Sequence, residues 1–277
     1  MYSEYNEEVL NEIRKVELDL LNALVKICDD NNIDYFLTNK TLLGAVKYQS
    51  YVPYDNNISV GMTRKNYELF IEATKKELPP IYYLDCYETN PNCYIPYAKL
   101  KRNGTTIDEK ITHHIKENKG IYINIIPFEN LQKEKGPFQA LREIFAKATI
   151  EAIYIKNKIR KEKINYRFAV KLLLIFSKKR LIKFQQKLFK FNKNNNSLYI
   201  VPLSSPYPYK KETIKRSTLE PVKTILFCNR EYKGMNDNNT YLYKLFGDYT
   251  KLTPQPEQHI PLKLVLSNRK EYHFYSK

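Results

Sequence analysis

Two cysteines, Cys86 and Cys93, stand close enough along the chain to offer half of a zinc site. Neither belongs to a C-x-x-C pair, and Cys28 and Cys228 lie far away in sequence, so all four read as ordinary reduced thiols. Four cysteines in 277 residues make no disulfide framework and point to a reducing, cytosolic compartment. The adjacent His113 and His114 have the chemistry of general bases, but their surroundings read as a loop near a helix end. Asp108 and Glu109 read as solvated acids, and His273 as surface within an aromatic tail.

Charge is a stronger signal. Residues 155–195 hold 14 Lys and Arg against one acid, Glu162, so +13 of the chain's net +16 sits there. Within Lys179–Phe191, Leu181, Phe184, Leu188 and Phe191 share one helical face, and Lys179, Lys183, Lys187 and Lys190 share the opposite one. A basic amphipathic helix of this kind either lies on an anionic bilayer or packs on a core with a solvated basic back. Lys187–Asn196 runs out into Lys and Asn and reads as a loop.

The elements that must position these groups follow from periodicity. Residues 5–30 place Leu10, Ile13, Leu20, Leu21, Leu24 and Ile27 on one face of a long helix. Tyr35–Leu37 reads as a short buried strand, Thr41–Tyr48 as a helix, Ile58–Met62 as a strand and Arg64–Leu78 as a second long helix. Tyr94–Lys101 and the β-branched run Ile121–Ile126 are strand candidates. Residues 138–191 are mostly helical, and 198–277 are rich in proline and turns. The order of elements predicts an α+β fold, a small mixed sheet covered by helices, with a helical basic segment and a turn-rich C-terminal part.

Composition removes other classes. The longest mostly apolar run, Phe168–Phe176, contains Lys171 and is far short of the ~20 residues of a membrane span. Residues 1–20 are acidic and lack an apolar core, so no secretory signal is read. A basic chain with 24 tyrosines admits an RNA-binding protein. No recognised RNA-binding motif is present, and the one-sided apolar helix suits a bilayer or a core better.

Three ordered blocks are more specific. The stretch YFLTNKTLLGAVKYQSYVPYDNNISVGM (Tyr35–Met62) comes first. YAKLKRNGTTI (Tyr97–Ile107) and HHIKENKGIYINIIPFEN (His113–Asn130) follow, and YLYKLFGDYTKLTPQPEQH lies within Leu226–His259. Together they resemble the LicD family, which includes bacterial phosphocholine transferases and, more distantly, fukutin and fukutin-related protein. The resemblance implies a nucleotidyltransferase-like fold. It also implies transfer of a phosphoalcohol from a CDP-activated donor such as CDP-choline to a cell-surface glycan, with Mg²⁺ or Mn²⁺. Breaking a pyrophosphate spreads negative charge on the leaving group, and hard cations held by carboxylates neutralise it. In the family pattern two Asp at i and i+2, the last two of D-D-D-I-D, project from one strand face, and a third lies in I-D-I-F-P.

At those three positions this chain has Asn57, Ser59 and Asn124. Asp55 survives as the first acid of its segment, and Glu129 replaces the Asp after the Pro-Leu step; both flank the site and could rebuild part of a metal site. Catalytic and metal-site candidates carried over from the resemblance are therefore Asp55, Asn57, Ser59 and Asn124, with Glu129 as a further catalytic candidate. Asn39-Lys40 stands in place of a Gly-Gly pair that lets backbone approach a phosphate, and Lys47-Tyr48 in place of Arg-His. Lys40 either crowds that approach or supplies a charge of its own. Asn39, Lys40, Thr41, Lys47, Lys99, Thr105, Thr106 and His259 are the substrate-binding candidates. The Thr105 and Thr106 hydroxyls either contact phosphate or cap a turn. The Gly247-Asp248-Tyr249 turn reads as structural, with a buried tyrosine.

The expectation is one LicD-like domain over residues 1–277, with a nucleotidyltransferase-like core (1–137), a basic helical segment (138–197) and a completing C-terminal part (198–277). It decorates a surface glycan, glycolipid or teichoic acid from the cytoplasmic side. Its metal-dependent step is weakened or lost, and residues 155–193 face an anionic membrane. The alternatives are a non-catalytic binder of nucleotide, glycan or an active relative, and an RNA-binding protein.

Overall fold

The computed structural model describes residues 7–53, 55–134, 136–159, 166–253, 261–266 and 269–274. The first half runs α1 (Glu7–Asp30), β1 (Phe36–Leu37), α2 (Asn39–Tyr48), β2 (Ser59–Thr63), α3 (Arg64–Glu77), β3 (Tyr82–Asp85), β4 (Ala98–Arg102), β5 (Thr106–Asp108) and β6 (Tyr122–Leu131). Three helices follow, α4 (Pro137–Lys156), α5 (Arg167–Leu173) and α6 (Lys178–Phe189). The remainder is β7 (Tyr199–Val201), α7 (Tyr209–Glu212), β8 (Ile214–Lys215), α8 (Arg216–Leu219), β9 (Lys223–Phe227), β10 (Arg230–Gly234), α9 (Asn238–Phe246), β11 (Lys263–Val265) and β12 (Glu271–His273).

The main sheet has the order β1-β2-β6-β4-β3, and only the β2–β6 pair is parallel. β6 is long enough to serve two neighbourhoods. Its first half lies between β2 and β4, and its last residues pair with β7, which pairs with β8. β9 and β10 form a separate hairpin, and β11 sits between β5 and β12. The fold is the expected α+β, a mixed sheet covered by helices.

α1 buries Leu10, Ile13, Leu20, Leu21 and Leu24 against the sheet, as its periodicity requires. α2 ends at Gln49, which takes a left-handed conformation (φ 51°) and returns its N–H to Ala45 and Gly44. The returning chain then crosses so close to α2 that a Cβ on Gly44 would lie 2.3 Å from the Ser50 carbonyl oxygen. This contact fixes the segment that leads to Asp55 and Asn57.

Two readings need correction. The strand expected over Tyr94–Lys101 begins only at Ala98, because Tyr94 and Ile95 instead pack in an apolar cluster with α4, α5 and α6. The inward face of α6 is also rotated. Leu181, Gln185 and Phe189 are buried, while Phe184 and Phe191 are exposed. Gln185 is accepted inside because Thr149 on α4 takes a hydrogen bond from its Nε2 (3.1 Å) and Tyr87 donates to its Oε1 (2.9 Å).

Candidate functional site

The site grows from the parallel pairing of β2 with β6, which sets Ser59 opposite Asn124. On the other side of β6, antiparallel β4 sets Lys99 opposite the same Asn124. Asn57, just before β2, accepts a hydrogen bond at Oδ1 from Asn124 Nδ2 (2.8 Å). Thr41, in the first turn of α2, ties this corner together. Its hydroxyl donates to the Asn57 carbonyl (3.1 Å) and accepts from the Ser59 N–H (2.8 Å). Asn57 and Ser59 thus share one wall with Asn124, which lies 65 or more positions further along the chain.

That wall faces a cavity of about 270 Å³. Asn39 and Lys40 reach it from the start of α2, and Asp55 and Asn56 from the loop before β2. Tyr97, Tyr122 and Glu109 line another side, where the Tyr122 hydroxyl donates to Glu109 Oε1 (2.8 Å). The Lys99 ammonium lies 3.6 Å from the centre of the Tyr122 ring. Residues 204–207 close the rim. Among the described residues of this lining, three polar atoms are buried without a hydrogen-bond partner, Asn124 Oδ1, Glu17 Oε2 and Ser204 Oγ. Burial, with the Asp55 charge added, pushes the Glu17 carboxyl well above the usual carboxylate range.

The donor set does not fit a divalent cation. Mg²⁺ prefers charged oxygens, and here the wall offers two amides and one hydroxyl; of the carboxyl groups elsewhere on the cavity, Glu17 is shifted up by burial and Glu109 is bonded by Tyr122, which leaves Asp55. The amide group of Asn124 already satisfies Asn57. Among the described residues, no three Asp, Glu, His or Cys side chains gather closely enough to hold a metal ion.

Other candidates lie apart from the cavity. Glu129 is almost fully buried in an ion pair with Arg64, whose Nε donates to Glu129 Oε2 (3.0 Å). Lys47 donates to the carbonyls of Thr250 (2.9 Å) and Leu252 (2.8 Å), so it pins the C-terminal turn. Thr105 bridges strands, donating to the Arg102 carbonyl (2.7 Å) and accepting from the Ile121 N–H (2.9 Å). Thr106 lies in β5 opposite Val265. His259 lies outside the described residues.

Asp108, read as solvated, is buried, with Lys119 (2.6 Å) and His113 (2.5 Å) on its two oxygens. Its neighbour Glu109 is half-buried against Tyr122 rather than solvated. Burial pushes the Cys86 thiol up to about 11 and Cys93 higher still, which keeps both protonated and suits the reduced-thiol reading. The Gly247-Asp248-Tyr249 turn has its tyrosine buried, as expected.

Sequence reasoning missed Glu17, Tyr97, Tyr122 and the segment Ser204–Tyr207 as cavity residues. One signal was available. Glu17 falls on the apolar stripe of α1, four residues after Ile13 and three before Leu20, where an acid is out of place unless it faces a cavity or a partner.

Comparison with known proteins adds three findings. The family profile described as LicD/FKTN/FKRP, nucleotidyltransferase domain, matches residues 32–140, which span α2, β2, β4 and β6. The lipopolysaccharide cholinephosphotransferase LicD of Haemophilus influenzae is 23% identical over 257 residues, covering 90% of this chain and 94% of that protein. The uncharacterized protein RP689 of Rickettsia prowazekii is 32% identical over 107 residues, 39% of this chain and 36% of that protein.

Proposed function

Residues 32–140 are a LicD-family domain, and from that premise we propose that the chain serves the decoration of a cell-surface glycan or glycolipid on the cytoplasmic side. The reaction of that class moves phosphocholine, or a similar phosphoalcohol, from a CDP-activated donor to a sugar. In this chain the divalent-cation step is weakened or lost, and the cavity holds its ligand with amides, hydroxyls and Lys40. The cholinephosphotransferase relative, aligned over nearly its whole length, supports the reaction class.

One observation carries the second half of this reading: the Asn57–Asn124 hydrogen bond at the place of two family carboxylates. Each carboxylate near a dication contributes several kcal/mol even at an effective dielectric of about 20, so losing three lowers affinity by orders of magnitude. Calorimetric titration of Mn²⁺ and Mg²⁺ with CDP-choline present tests it. Wild-type protein binds neither cation tightly, while the triple variant Asn57→Asp, Ser59→Asp, Asn124→Asp gains both cation binding and CMP release. Micromolar cation binding with CMP release by the wild-type chain overturns the proposal. CDP-choline or glycan binding without any CMP release identifies the second reading, a non-catalytic binder.

A further inference from the structure

We propose that the α5–α6 corner docks this protein on an anionic lipid bilayer, with Phe168, Leu172, Ile175 and Phe176 entering the interface. α5 uses Ala169, Val170 and Leu173 to pack on α4. Its opposite side, continued into the turn before α6, leaves Phe168 78%, Leu172 50%, Ile175 79% and Phe176 41% exposed. Single exposed apolar residues are ordinary, but four within nine positions of one corner are not. Neither helix can turn this side inward without giving up its contact with α4.

Charge selects the partner. Arg167 and Lys171 on α5, and Lys179, Arg180, Lys183 and Lys187 on α6, are exposed on the two helices that flank the apolar group. None makes an ion pair among the described residues, although several other lysines of the chain do, including Lys190 with Glu68. Unpaired cations around protruding aliphatic and aromatic side chains match anionic headgroups above an acyl region. A nucleic acid would use the cations but leave Leu172 and Ile175 against polar backbone. Among the described residues, no helix is long and apolar enough to cross a membrane, so the contact is interfacial.

The corner is joined to the cavity. α4 carries α5 and α6 on one side, and its Lys147 donates to the carbonyls of Ser205 and Tyr207, both on the cavity rim. Docking therefore orients the cavity relative to the membrane. This inference stands on the surface alone and does not depend on turnover.

The test is co-sedimentation of the full chain with phosphatidylcholine vesicles, with and without phosphatidylglycerol. Binding is expected only to the anionic vesicles and falls with added salt. Phe168→Ser with Ile175→Ser lowers it at least tenfold, and Lys171→Glu lowers it about fivefold or more. The chain contains no tryptophan. Phe168→Trp therefore reports insertion by a blue-shifted emission on anionic vesicles, while Leu69→Trp, exposed on α3, stays unshifted. Absence of binding to anionic vesicles, an unshifted Phe168→Trp, or full binding by the serine variant overturns the proposal. So does RNA binding that outcompetes the vesicles.

Discussion

Glu212 gives a test of how burial sets the stability of this fold. It ends α7 and is 1% exposed, next to Ser205 of the cavity rim. Burial raises its carboxyl from 4.5 to about 7, against the lowering effects of the nearby Ser205 side chain and the Lys147 charge. In the unfolded chain the group ionises near 4.5. Between that value and about 7 the native state therefore holds more protons, and stability falls as pH rises through the window. Below it the contribution is constant, and above it the loss is complete. A shift of this size corresponds to about 3 kcal/mol, or roughly 5 °C in Tm for a chain of this length. Glu17, also raised by burial, acts with the same sign, so the effect of Glu212 must be taken as a difference. Thermal melts of wild type and Glu212→Gln across the range provide it. The variant should gain stability relative to wild type as pH increases and match it in acid. Parallel profiles for the two proteins would refute the reasoning.

Two further outcomes follow from the packing. Glu129→Gln strands the Arg64 guanidinium in the interior and should cost about 3–5 kcal/mol in denaturant unfolding, while Arg64→Met with Glu129→Met recovers much of that loss. Ligand affinity of the folded Glu129→Gln protein should stay near wild type, since Glu129 does not line the cavity. Gly44→Ala forces a methyl group to within 2.3 Å of the Ser50 carbonyl oxygen, and urea titration should show a loss of about 1–3 kcal/mol.

The long helices were legible because their cores repeat with helical spacing: α1 was expected over 5–30 and spans Glu7–Asp30. β6 was read only to Ile126, while the strand runs on through Pro127, Glu129 and Asn130. They continue the strand because Arg64 pairs with Glu129, and Arg216 and Arg142 bond the side chain and carbonyl of Asn130. Those compensations come from residues up to 86 positions away, which no local pattern shows. The β9–β10 hairpin lies within the stretch read as rich in turns, and β5 includes Thr106, read as a phosphate contact or a turn cap. At the site, Asn57, Ser59 and Asn124, the three positions the resemblance implied, lie together on one wall. Lys47 and Glu129 instead give their charges to the carbonyls of the C-terminal turn and to Arg64.

That distinction explains how the wall can exist with its carboxylates replaced. Two carboxylates about 4 Å apart repel by about 4 kcal/mol at an effective dielectric of 20, and a cation is what makes such a pair tolerable. Two amides have no such need. One donates to the other, a contribution of about 1 kcal/mol, and the strands close on themselves. A cation arriving at this wall would find Asn57 Oδ1 already engaged, take only neutral oxygens from Asn57, Ser59 and Asn124, and sit within a chain of net charge +16. Restoring a single Asp would leave a buried carboxylate facing an amide, with no second charge to share the ion. Activity should therefore return only when Asn57, Ser59 and Asn124 are changed together. The single variants should mark the wall by lost stability rather than by turnover.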